Sequence, residues 1–136
     1  MRIEGSTLSA EIDRFIDELR LEWDPENREA FRVEPSDIVA WTYRTGLDEV
    51  ILLNKMGMAL AKGFHEGRLE FWFCNDLVND VWHYLLAADH LRDTQPAIFC
   101  EVFYAFESGE ITTETVHDPI EFYARPLIAK LLGTTN

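Results

Sequence analysis

Leu69 to Arg92 is the segment that most narrows the folds open to this chain. Phe71, Cys74, Val78, Val81 (or Trp82) and Leu85 recur at helical spacing, and Phe73, Leu77, Tyr84 and Leu91 widen the same stripe. A helix that is apolar around most of its circumference packs on several sides. The spacing therefore predicts an all-α fold, a single compact domain of six or seven helices around a long central apolar helix over about 69–92.

Helix punctuation continues on both sides of it. Leu8, Ile12, Phe15, Ile16 and Leu19 share one face of a first helix, with Ser9 as its N-cap and Glu11 in the first turn. Asp24-Pro25 reads as a second start, because aspartate accepts orphan amide hydrogens and proline loses nothing at the first helical position. Glu34 to Asp37 opens a third helix, Ile38 to about Thr45, which Gly46 ends in a left-handed cap. A fourth runs from Leu47 to Phe64. Gly57 inside it costs about 1 kcal/mol against alanine, which points to close approach of another helix. Pro96 begins a further segment in which Phe99, Val102, Phe103 and Phe106 share a face; its aromatic and β-branched content keeps a strand over 97–107 as the alternative. A polar loop from Glu110 to His117 precedes Asp118-Pro119-Ile120-Glu121, which resembles a capping box, and Pro126 is expected to kink or split the last helix. No linker divides the chain, so one domain covers 1–136.

A chain of 136 residues, 47% apolar and 27% charged, has the composition of a globular protein and not of a disordered one. Acids or amides interrupt its apolar runs every few residues, so no membrane span is expected. The first residues lack the apolar core of a secretory signal, and Cys74 and Cys100 fall outside any CxxC pair. Free buried thiols of that kind suit a cytoplasmic location.

Charge is distributed unevenly. Between Leu69 and Ala124 stand eleven carboxylates and one base, Arg92, in a chain of net charge −13. Such a field attracts cations or a basic partner and repels nucleic acid. Asp76, Asn79, Asp80 and His83 lie at i, i+3, i+4 and i+7 and project from one helix face, with Asn75 beside them. This stripe has the donor types for a divalent cation. Further ligands cannot be placed, however, so the expectation is a solvated or partner-facing stripe with no metal and no cofactor. Asp80 and His83, taken with Glu114 and His117, superficially repeat the carboxylate-x-x-His pattern of di-iron bundles, but Glu114 falls in a loop. The acidic pairs of helical nucleotide pyrophosphatases have a different spacing and a second pair. GxSxG, GxxxxGK[ST] and GxGxxG are all missing. His65 and His90 read as charge partners near helix ends. Trp23 is the tryptophan best placed to be a partly exposed anchor.

The expected role is an acidic protein-binding module and not an enzyme: an inhibitor or immunity-type protein that neutralises a basic partner, such as a toxin nuclease, by charge complementarity. Its expected partner-facing residues are Asp76, Asp80, His83, Glu107, Glu110, Glu114, Asp118 and Glu121. The alternatives are a small helical metal-dependent enzyme built on Asp76, Asp80 and His83, or a structural or regulatory subunit that forms a homodimer through apolar helices. Direct contact with nucleic acid or membrane is not expected.

Overall fold

Helices form where the apolar spacing predicts them, and their order fixes which polar groups can meet. The computed structural model describes residues 5–133, and every regular element among them is helical. Six α-helices span Gly5–Glu22 (α1), Pro35–Thr45 (α2), Glu49–His65 (α3), Phe71–Ala87 (α4), Ala97–Glu107 (α5) and Arg125–Leu131 (α6). Short 3-10 turns lie at Arg28–Ala30 and Asp89–Leu91, and a π-helical turn at Ile120–Ala124 leads into α6.

Both ends of α2 are those the sequence predicts. Glu34 and Asp37 form a reciprocal capping box with Pro35 at the first helical position, and Gly46 closes α2 at φ 71°, its N–H donating to Thr42 O at 2.8 Å. The Asp48 carboxylate accepts the Ile51 N–H at 3.1 Å and starts α3. The segment over 97–107 is helix, with Phe99, Val102, Phe103 and Phe106 all buried.

Four details differ from expectation. Ser9 lies inside α1 and not at its cap. Asp24-Pro25 begins a turn instead of a helix: Asp24 O accepts the Asn27 N–H at 3.0 Å and its side chain accepts the Glu26 N–H at 2.9 Å. Phe31 and Val33 both bury their side chains while Arg32 stays exposed, a period of two that extended backbone serves and a helix does not. Helix α4 stops at Ala87 instead of Arg92. Extended backbone at Ala88 and one 3-10 turn bury Leu91 and bring His90 Nε2 to 2.8 Å from Glu49 Oε1. Finally, α4 is no longer than α3, and α1 exceeds both.

The centre of the packing is α3. It packs against α1, α2, α4, α5 and α6, whereas the main helical neighbours of α4 are α3 and α5. Small residues explain this. A Cβ added at Gly57 would sit 3.1 Å from Phe99 Cα, so α3 and α5 approach backbone to backbone, as the glycine implied. Around that contact lies an aromatic core in which Phe64 meets Phe71 and Phe106 edge to face, and Trp82 stacks on Phe103 at 4.2 Å. Cys74 and Cys100 are free thiols; burial raises Cys74 well above the ordinary thiol range. Pro126 falls in the first turn of α6, and the missing N–H coincides with the π-helical turn just before it, which splits the last helical stretch. Among the described residues no helix is long and apolar enough to cross a membrane.

Gly57→Ala tests the close approach. Helix propensity alone favours alanine by about 1 kcal/mol. The Phe99 backbone cannot yield as a side chain does, so we expect a net loss of about 1–2 kcal/mol in urea unfolding followed by circular dichroism.

Candidate binding groove

The polar stripe of α4 does not face open water along its length. The chain leaving α1 crosses it, and two carboxylates one turn apart fasten that crossing. Asp76 Oδ2 accepts the Trp23 indole N–H at 2.7 Å and the Arg28 Nε–H at 2.8 Å, while Oδ1 accepts from Arg28 Nη2 at 2.7 Å. Asp80 Oδ2 accepts the Val33 backbone N–H at 2.9 Å. Aromatic contacts hold the same segment, since Trp23 and Phe31 both meet Phe73 edge to face, and the Arg28 guanidinium lies 4.4 Å over the Trp72 ring. Trp23 is therefore 4% exposed, a buried fastening and not the exposed anchor expected of it.

Between this crossing segment and α4 a groove of about 600 Å³ remains, with Arg28, Trp72, Asn75, Asp76, Asp80 and Glu110 among its walls. Glu110 reaches it from the loop after α5, where its Oε2 lies 3.3 Å from Asn79 Nδ2. The same Asn79 amide donates to the Asn75 backbone carbonyl at 2.7 Å, tying the loop to α4. Asp80 sits half-buried, and desolvation raises its carboxyl above the ordinary carboxylate value despite the Val33 hydrogen bond and nearby Arg32, which act in the opposite direction.

Of the residues expected to face a partner, Asp76, Asp80 and Glu110 come together here. The others do not line the groove. His83 is exposed near the C-terminal end of α4, and Glu107 is exposed at the end of α5. Glu114 sits at an exposed tip inside the turn closed by Thr113 N–H to Val116 O at 2.9 Å. Asp118 accepts the Glu121 N–H at 3.4 Å as a cap, and Glu121 pairs with Arg125 Nε at 2.9 Å. Sequence reasoning missed Arg28, Trp72 and the buried side of Asn75. An asparagine set among Phe73, Cys74, Leu77 and Val78, all fully buried, was the available signal.

Among the described residues no three His, Cys, Asp or Glu side chains approach closely enough to hold a metal ion. Both Asp76 oxygens are engaged by donors, and Glu114 and His117 lie exposed in a loop instead of on a helix facing Asp80 and His83. Compared with known proteins, the chain matches no family model, no curated protein and no solved structure.

The fastening has measurable consequences. Asp76→Ala leaves a buried indole N–H and the Arg28 guanidinium without their acceptor, and should cost about 2–4 kcal/mol in chemical denaturation. Glu70→Ala, which removes a more exposed pair with Arg20, should cost no more than about 1 kcal/mol. Asp80 gives a pH test. Because its folded pKa is raised, the protonated form is the one the fold favours; that contribution is present below the ordinary carboxylate pKa and is lost as pH rises through the raised value. Asp80→Asn keeps the acceptor for Val33 and removes the buried charge. Its melting temperature should match or exceed that of the parent at neutral pH, and the difference should close in acid.

Proposed function

We propose that the chain is an acidic binding module that occupies the positive surface of a basic protein, in the manner of an inhibitor or immunity-type protein guarding against a nuclease-like toxin. One observation carries this role. After the fold has made its internal ion pairs, Glu101, Glu107, Glu110 and Glu114 hold no basic side chain among the described residues. Arg20 and Arg28 cross from the first part of the chain to neutralise Glu70 and Asp76, and no base of that part pairs with the carboxylates of α5 and the loop behind it. Four like charges spread along α5 and its following loop repel each other, and a cationic partner surface relieves that repulsion. A nuclease cleft, positive because it must hold phosphates, has the complementary field.

Charge of this kind acts mainly on encounter. Association with a basic partner, recovered from the native host on the full chain, should therefore slow steeply as salt rises and the Debye length falls below about 10 Å. The double reversal Glu107→Lys/Glu114→Lys should lower the association rate by about tenfold at low salt, and more than the matched reversal Asp13→Lys/Asp17→Lys on α1. Equal sensitivity at the two places, or association indifferent to salt, would remove the support for this role.

A further inference from the structure

Helices α5 and α6 bury Phe99, Val102, Phe106, Ile128 and Ala129 on their inner faces, yet their outer faces stay largely apolar. A Cβ added at Gly109 would sit 3.0 Å from Ala124 Cβ, so the end of α5 meets the start of α6 and the two run in opposite directions. Between them lies a groove of about 540 Å³, with Tyr104, Ala105, Leu127 and Leu131 in its walls. Tyr104 is 53% exposed and Leu127 42%, and Ile98, one turn before Glu101 on α5, is exposed as well. The Tyr104 ring is nevertheless held, because Trp82 and Phe103 meet it with centroids at 5.5 and 5.4 Å. A fixed aromatic beside open leucines is apolar area that a monomer leaves in water and that a partner buries with little loss of side-chain freedom.

Charge decides what covers the groove. Its two walls carry one charge each, of opposite sign: Glu101 on α5 and Lys130 on α6. Neither has an ion-pair partner among the described residues. Lys130 disfavours a basic protein surface here, and Glu101 disfavours phosphates, whether of nucleic acid or of an anionic membrane. A second copy of the chain brings both signs at the required separation. A two-fold axis normal to the groove, midway between Glu101 and Lys130, turns each copy's Glu101 to face the other's Lys130, and the pairing occurs twice. The same rotation lays the apolar walls of the two grooves against each other.

We infer that the α5–α6 face is a homodimer interface, closed around a two-fold axis with Glu101 of each protomer paired with Lys130 of its partner. The apolar groove supplies the attraction, and the two charge pairs set the register. Each chain carries a net charge of −13, so the copies repel at long range, and the dimer forms where salt shortens that repulsion. The inference goes beyond the proposed role and leaves room for it. Glu107 lies about 120° around α5 from Glu101, and Glu107, Glu110 and Glu114 all stand outside this groove.

Sedimentation equilibrium of the full chain at about 0.15 M salt, over about 1 to 200 µM, tests this. The parent should pass from monomer to dimer within that range. Glu101→Lys and Lys130→Glu should each weaken self-association about tenfold, because each sets like charges against each other at both crossings. Net charge alone predicts otherwise, since Glu101→Lys makes the chain less acidic and would strengthen the dimer. The deciding measurement mixes the two variants in equal amounts. Both crossings then regain opposite signs, and the mixture should dimerise as the parent does, a recovery that a pairing within one chain could not give. Leu127→Asp should abolish the dimer while the melting temperature of the dilute monomer changes little, the side chain being 42% exposed already. Four results would overturn the assignment: a monomer at every concentration, which leaves the groove to a different protein; a dimer indifferent to both reversals; a dimer strengthened by Glu101→Lys; or no recovery on mixing. Each of them leaves the reversals at Glu107 and Glu114 to be read separately, through association with a basic partner, so the dimer and the acidic module fail independently.

Discussion

The carboxylate of Asp76 is the point on which the rest of this structure turns. It accepts three hydrogen bonds, one from Trp23 and two from Arg28, and all three come from the segment between α1 and α2. That segment has little regular structure of its own, only a turn at Asp24 and three residues of 3-10 helix. Its path across α4 is set by what it docks on. Asp80, one turn further along, takes the Val33 N–H and fixes the far end. Spaced four apart on one helix face, two acids thus do for a crossing chain what a neighbouring strand does for a sheet edge: they receive its donors at a fixed repeat. The groove exists because the crossing chain is pinned at both ends and stands off between them.

The same pairs redistribute charge. A count along the chain places the surplus of acid between Leu69 and Ala124 and treats the preceding part as better balanced. Folding exchanges charge between these parts, because Arg20 and Arg28 are spent on Glu70 and Asp76. The acids nearest the start of α4 lose their field, and those after Phe106 keep theirs. Among the carboxylates that keep no base within ion-pair distance are Glu107 at the end of α5 and Glu110, which supplies the groove edge.

How much of this was legible in the sequence depends on whether the deciding contact is local. Gly46 at a left-handed cap and the helix opening at Glu34 to Asp37 involve partners within four residues, and local chemistry names them correctly; the Asp48 cap of α3 is as local, one residue past the expected start at Leu47. Gly57 was legible for a related reason, since a glycine in a helix interior demands a compensating close approach, and Phe99 provides it. The groove was half legible. Its acids appear at helical spacing, yet their partners stand about fifty positions earlier, and a polar helix face looks the same whether water, a metal or a crossing chain will satisfy it. Trp23 was misjudged on the same ground. An indole beside Asp24-Pro25 reads as exposed until a buried acceptor for its N–H is known. The centre of the bundle was misplaced because apolarity measures how much a helix buries, whereas the number of helices it can touch depends on how small its contact residues are; α4 is rich in the first and α3 in the second.

Asn75 and Asp80 belong together in a final respect. One is a buried amide without a partner, the other a carboxylate that burial pushes toward its protonated form, and both line the same cavity. Each is a local departure from what stability alone would select. Buried side-chain polar groups elsewhere among the described residues are met. Thr45 donates to Trp41 O, the Trp23 indole has Asp76, and even the Cys74 thiol lies 3.8 Å from Leu60 O. The single unmet buried acceptor among the described residues, Asn75 Oδ1, and the desolvated Asp80 carboxylate are thus local costs, set five residues apart on α4, that the packing of the rest of the fold has to cover.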